Sequence, residues 1–168
     1  MRIVDSELGP ADWTRLIDGE AQPWGGVGEH LRWRPKTHTV ALLDDDDALL
    51  GTGGVVLATV RAGQSAFEVV GIGGIFVTRR ARGQGLASSI IERLLQIAGG
   101  LGPDLAMLFC LPSRMPLYAR FGFAEIAPPV RAMQPDGPIT VPMRAMWRAL
   151  APGARWPDGE VELLGEPL

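Results

Sequence analysis

Between Phe67 and Ala98 the hydrophobic period changes once, and that change constrains the fold more than any other feature. Phe67–Val77 is rich in β-branched residues and reads as a strand. From Leu86 onward, apolar residues recur at helical spacing: Leu86, Ile90, Leu94 and Ile97, with Ala87, Ile91, Leu95 and Ala98 beside them. Glu92, Arg93 and Gln96 point the other way, and Gly99-Gly100 supplies a stop. Between the two elements lies Thr78-Arg79-Arg80-Ala81-Arg82-Gly83-Gln84-Gly85. In physical terms this loop is an anion site. The first turn of a helix leaves N–H groups without intrahelical partners, and the macrodipole adds partial positive charge. Glycines let a phosphate reach the main chain, and arginines strengthen the local field.

The rest of the chain supports a mixed α+β domain. Thr39–Leu43 and Ala48–Val60 read as strands joined by the acidic turn Asp44–Asp47. Too few spaced oxygen ligands surround that turn for a calcium loop. A second turn, Arg61–Ser65, leads into the Phe67–Val77 strand. After the helix, Leu105–Leu111 is a continuous apolar run, expected as a buried strand and ended by Pro112. A short helix is expected over Pro116–Arg120, closed by Gly122. Ile3-Val4 fits a first strand, and Trp13, Leu16 and Ile17 fit one amphipathic helix. Residues 19–36 are poorly specified. Beyond Ile126 the chain is proline-rich, with strands expected at Met143–Leu150 and Val161–Leu164 and a turn at Trp156–Gly159. One domain over residues 1–168 is expected, since 168 residues match a common domain size of roughly 100–200.

Composition removes several classes. The longest stretch free of charged residues, Ala48–Val60, is too short to span a bilayer and is broken by three glycines. No cationic start with an apolar run precedes Asp5 and Glu7, so no signal peptide is expected. A single cysteine, Cys110, excludes an internal disulfide, and two histidines argue against a histidine-rich metal centre, so no metal is expected. The net charge of −3 gives no overall pull toward nucleic acid or anionic membrane. A cytoplasmic setting is the expectation. The glycine loop also fails two phosphate motifs. No Lys-Ser or Lys-Thr follows its second glycine, as a P-loop needs, and Ser88 stands where a dinucleotide fingerprint needs a third glycine or alanine.

Arg80-Ala81-Arg82-Gly83-Gln84-Gly85 resembles the Arg/Gln-x-x-Gly-x-Gly/Ala loop of the GNAT N-acetyltransferases. Leu117-Tyr118-Ala119-Arg120-Phe121-Gly122-Phe123 is similar to that family's later motif, a tyrosine segment ending in Gly-Phe, and it follows the Leu105–Leu111 strand in the family's order. The resemblance is firm over Phe67–Ile126 and weak outside it. It implies the GNAT fold, a central mostly antiparallel mixed sheet flanked by helices, in which the strands Phe67–Val77 and Leu105–Leu111 splay apart to hold coenzyme A. It also implies an acyltransferase that moves an acetyl group from acetyl-coenzyme A to a primary amine by direct attack in a ternary complex.

Carried over residue by residue, the resemblance makes Ile75, Phe76 and Val77 flank the pantetheine arm. Arg80, Arg82, Gly83, Gln84, Gly85, Leu86 and Ala87 would hold the pyrophosphate. An N–H near Phe76 would face the thioester oxygen. Tyr118, the only tyrosine, would protonate the leaving thiolate; a phenol with a pKa near 10 can donate to a thiol of about 8.5. The general base is less legible. Many relatives place a glutamate mid-strand, where this chain has Gly71-Ile72-Gly73-Gly74. Glu68 and His30 are the two alternatives, with ordered water a third. The main-chain end at Leu168 is also a candidate, since in some aminoglycoside acetyltransferases of this superfamily the terminal carboxylate enters the acceptor site.

Trp13, Trp24 and Trp33 fit either an acceptor pocket or core packing, and Asp18, Glu20 and Glu29 would attract a cationic amine. The expected partners are acetyl-coenzyme A and a small-molecule or peptide amine, with homodimerisation admitted by resemblance alone. Two readings compete: a non-catalytic acyl-coenzyme A sensor, and a nucleotide-binding regulator using the same loop.

Overall fold

The computed structural model describes all 168 residues. Ten strands join one mixed sheet: β1 Arg2–Asp5, β2 His38–Leu43, β3 Leu49–Ala62, β4 Ser65–Val77, β5 Leu105–Cys110, β6 Ala124–Glu125, β7 Val130–Gln134, β8 Gly137–Thr140, β9 Arg144–Ala149 and β10 Val161–Leu163. The α-helices are α1 Pro10–Ile17, α2 Leu86–Gly99 and α3 Met115–Ala119. The main path runs β6-β9-β5-β4-β3-β10-β7-β8. The long β3 pairs with β4 along one edge. Its other edge carries β2 over its first half and β10 at its far end. Only β4·β5 and β10·β7 are parallel, so the sheet is mostly antiparallel, as expected.

The Asp44–Asp47 turn is closed by hydrogen bonds to its own main chain. One Asp44 oxygen accepts from the N–H groups of Asp46 and Ala48, at 3.0 and 2.8 Å. Such Asx capping is why aspartate suits this place. Side chains of β4 and β5 alternate between two apolar clusters, one on each face of the sheet. Val70, Ile72, Ala106 and Leu108 join the cluster under α2, while Val69, Leu105 and Met107 join the other. Ile90, Ile91, Leu94 and Ala98 of α2 are fully buried. The helix sits unusually close to β3 because Gly51 and Gly53 lack side chains. A Cβ at Gly53 would lie 2.8 Å from both Ile90 and Leu94. This seating fixes where α2 begins.

The C-terminal third differs from expectation. The proline-rich stretch forms the hairpin β7–β8, which the sequence did not suggest. Pro138 lies inside β8, and β8 is an edge strand, where a missing N–H is tolerated. The segment Trp156–Gly159 does lie between two strands, but they do not pair. β9 joins β5 and β6, while β10 crosses to β3 and β7.

Candidate active site

The pairing of β4 with β5 stops early. Val70, Gly71 and Ile72 face Ala106, Met107 and Leu108, and no pair follows, although β4 runs on to Val77 and β5 to Cys110. The two strands splay from there. On the other edge of β4 the register slips: Thr52 faces Phe76, but Gly54 faces Gly73. Two steps on β3 therefore match three on β4. The extra residue lies at Gly74–Ile75, and Gly74 takes φ +62° there. Such a bulge re-aims the main chain and ends regular pairing.

A cavity of about 840 Å³ fills the splay. Ile72–Val77 forms one wall and Phe109–Leu111 the other. The loop before α2 closes one end of the cavity. Gly83 and Gly85 both adopt the left-handed conformation, with φ +79° and +78°. Gly85 caps α2 without any side-chain cap. The N–H groups of Gly83, Gln84, Gly85, Leu86 and Ala87 donate to no acceptor within the protein; the next one, of Ser88, bonds to the Gly85 carbonyl. A Cβ at Gly83 or Gly85 would meet nothing within 4 Å. Glycine is required here by backbone conformation, and the space above it is open to a ligand.

The arginines divide. Arg82 lines the cavity, but its guanidinium bonds both oxygens of Glu20, at 2.8 and 2.6 Å, and its Nε–H donates to the Val77 carbonyl at 2.9 Å. It also stacks over the Phe76 ring. Arg82 holds Glu20 well below the usual carboxylate range, chiefly by hydrogen bonding. Arg80 and Gln84 are exposed and lie outside the cavity wall.

Tyr118, on α3, faces the cavity from across the splay. Its ring packs edge-on against Phe123. Its hydroxyl has no hydrogen-bond partner in the protein, and it is not sealed from the cavity. Burial raises its pKa well above the ordinary phenol value, so it stays protonated at neutral pH. Cys110 also lines the cavity, but burial lifts its thiol to about 11 and its Sγ rests 3.8 Å from the Met146 sulfur. That environment makes it unreactive.

The two base candidates lie elsewhere. Glu68 is exposed on β4 opposite Thr59, before the splay begins, and does not line the cavity. His30 is exposed in the segment between α1 and β2, also outside it. The acidic residues offered for a cationic amine are occupied or absent. Glu20 is bound to Arg82, Glu29 accepts from the N–H groups of Trp24 and Gly26, and Asp18 does not reach the cavity. Trp13, Trp24 and Trp33 do line it, with Trp24 packed between Trp13 and Phe76. Leu168 is buried, with its side chain beside Gly71 and its main-chain oxygen beside Gly73. Sequence reasoning missed Lys36, whose stem crosses β3 and β4 at the cavity floor. Its one signal was its being the only lysine, which looked compositional.

No cluster of three or more His, Cys, Asp or Glu side chains is arranged to hold a metal ion. No helix is long and apolar enough to cross a membrane.

The profile of the acetyltransferase (GNAT) domain matches residues 16–126. No curated protein matches the chain in sequence. Among solved structures, the chain is similar to the GNAT family N-acetyltransferase YhbS from Escherichia coli in complex with CoA, with TM-score 0.62 and 20% identity over 96% of this chain and 88% of that one. A putative acyl-CoA N-acyltransferase from Klebsiella pneumoniae subsp. pneumoniae aligns with TM-score 0.61 and 19% identity, over 89% and 97% of the two chains. A GNAT superfamily phosphinothricin acetyltransferase from Sinorhizobium meliloti, in complex with AcCoA, aligns with TM-score 0.59 and 19% identity over 95% of each chain. At these identities the structural likeness concerns the fold, and the family rests on the domain match, which takes in the splayed strands, the glycine loop and the Tyr118 motif. The chain belongs to the GNAT acetyltransferase family and is an acyltransferase of that type.

Proposed function

We propose that residues 1–168 act as one N-acetyltransferase unit, moving an acetyl group from acetyl-coenzyme A to a primary amine in a ternary complex. The observation that carries this is the run of five free N–H groups from Gly83 to Ala87, opening onto a cavity between two unpaired strands. That shape suits a ligand with an anionic end and a long acyl arm. Two similar structures carry CoA and AcCoA, which adds support at the level of the fold.

In this reading each part of the chain has a task. The amides of Gly83–Ala87, at the positive end of α2, hold the pyrophosphate. Arg82 fixes the loop through Glu20 and Val77 instead of spending its charge on phosphate. Ile75, Phe76 and Val77 offer main-chain groups to the acyl arm, and an N–H next to the bulge, assigned to Phe76, polarises the thioester oxygen. The amine attacks the carbonyl carbon, and the C–N bond forms as the C–S bond breaks. The Tyr118 hydroxyl donates its proton to the departing sulfur, and the proton leaving the amine nitrogen passes through water to restore the Tyr118 hydroxyl. Burial keeps that hydroxyl in its acid form, as donation requires. Glu68 and His30 gain no base role from their surroundings.

Calorimetry decides between this reading and its rivals. Acetyl-coenzyme A is expected to bind saturably and in preference to dephospho-coenzyme A and ATP. Preference for ATP would instead support a nucleotide-binding regulator. Tight binding of acetyl-coenzyme A with no turnover across a broad amine panel would favour the sensor.

A further inference from the structure

Lys36 is the chain's only lysine, and the fold makes specific room for it. Its stem lies across the sheet where two glycines face each other in register, Gly54 on β3 and Gly73 on β4. A Cβ at Gly54 would fall 2.7 Å from Lys36 Cγ, and one at Gly73 would fall 3.0 Å from Cε and 3.4 Å from Nζ. Two side chains are thus missing where one lysine passes. The amine ends at the cavity floor, one residue before the Gly74–Ile75 bulge. It is held there by one hydrogen bond, Nζ–H to the Arg34 carbonyl at 3.0 Å, and it makes no ion pair with any carboxylate. The two glutamates lining the cavity are spent elsewhere, Glu20 on Arg82 and Glu29 on main-chain N–H groups.

We infer that Lys36 is an internal acyl acceptor: in the absence of an external amine, the enzyme acetylates Lys36 Nζ from acetyl-coenzyme A. The neutral amine attacks the thioester carbonyl carbon. The new C–N bond forms as the C–S bond breaks. The departing sulfur takes a proton from the Tyr118 hydroxyl, and the proton released from the new amide nitrogen returns to the Tyr118 oxygen through water, giving acetyl-lysine and coenzyme A. The product is an uncharged amide lodged beside Gly73, where it narrows the acceptor end of the cavity. The inference rests on the acetyl-coenzyme A site proposed above.

The surroundings keep this amine available. Burial first, and the Arg34 charge second, lower the Lys36 pKa to about 8. Gly54 and Gly73 contribute no charge, and the one negative group facing it is the main-chain carboxylate of Leu168, whose oxygen lies beside Gly73 without forming an ion pair with Nζ. The Arg34 guanidinium turns to the carbonyls of Leu57, Leu164 and Glu166. The Glu166 carboxylate is paired with Arg32, and the His38 ring contacts the Thr37 hydroxyl on the exposed side.

The test needs no external acceptor. The intact protein is incubated with acetyl-coenzyme A, and the adduct is located by mass spectrometry and peptide mapping. The chain has one other amine, the Met1 terminus, which is exposed and paired with Asp45, so mapping separates the two. One acetyl group on Lys36 is expected, suppressed by excess coenzyme A and slowed at least ~100-fold in Tyr118→Phe. Lys36→Arg and Lys36→Met should carry no adduct in the cavity yet bind acetyl-coenzyme A as tightly as the parent. With a pKa of about 8, the rate should rise about tenfold from pH 7 to pH 9 and level off; a solvent-exposed lysine would gain roughly a hundredfold without a plateau. No adduct on a sample that calorimetry shows to bind acetyl-coenzyme A would overturn the inference. So would labelling no faster than that of the unfolded chain. Coenzyme A release without an adduct, lost in Lys36→Met, would also overturn it and make Lys36 a proton acceptor. A sample that binds no acetyl-coenzyme A would overturn the cofactor reading and this inference with it.

Discussion

Replacing Gly85 by asparagine and, separately, by aspartate isolates the charge effect at the start of α2. The two side chains have nearly the same shape, and both tolerate the left-handed conformation better than other residues do. Gly85 sits at φ +78°, and a Cβ there meets nothing within 4 Å, so neither variant clashes in the free protein. The backbone cost is about 1 kcal/mol, a fall of roughly 2–4 °C in Tm for a chain this size. Aspartate should be the more stable of the pair, because a negative charge at a helix N-terminus is favourable. Affinity should move the other way. A carboxylate roughly 4–5 Å from a bound phosphate charge costs about 3–4 kcal/mol at an effective dielectric near 20. Exposure and ionic screening reduce that to about 2–3 kcal/mol, or ~30- to 140-fold in Kd. Calorimetry with acetyl-coenzyme A at low and high salt, beside thermal melts, reads both quantities. Asparagine should weaken binding modestly, and aspartate much further, with the gap closing as salt rises. Equal affinities for the two variants, or a gap indifferent to salt, would refute the placement of the anion at this helix start.

Other outcomes follow from the same geometry. Tyr118→Phe should leave acetyl-coenzyme A affinity and Tm nearly unchanged, since the hydroxyl has no partner in the protein, while transfer falls by ~100-fold or more in a thiol-release assay. Leu94→Ala, at a fully buried site beneath Gly53, should cost about 3 kcal/mol in denaturant unfolding and loosen the seating of α2. Glu20 is held below its ordinary pKa by Arg82, so its contribution to stability is present above about pH 4.5 and fades as pH falls through the lower folded value. Acid melts of the parent should therefore lose more stability below pH 4.5 than those of Glu20→Gln, and parallel curves would argue against the pairing.

The local chemistry of this protein was legible because its signals are contiguous. The strand, glycine loop and helix over Phe67–Gly99 reflect hydrophobic period and backbone freedom, which neighbouring residues determine among themselves. The same holds for the acidic turn at Asp44, where the side chain bonds its own main chain. The β7–β8 hairpin was hidden because proline is tolerated only at an edge, and being an edge is a property of the whole sheet. Arg82 showed its charge in the sequence but not its partner, for Glu20 lies sixty-two residues away. Lys36 lay in a stretch without period or motif. The register of β3 against β4, set by long-range pairing, brings Gly54 opposite Gly73 and opens the passage through which this lysine reaches the cavity. Sequence determined where an anion could be held; only the tertiary structure decided which side chains stand free beside it, because ion pairs and apolar cover join residues that the chain itself keeps far apart.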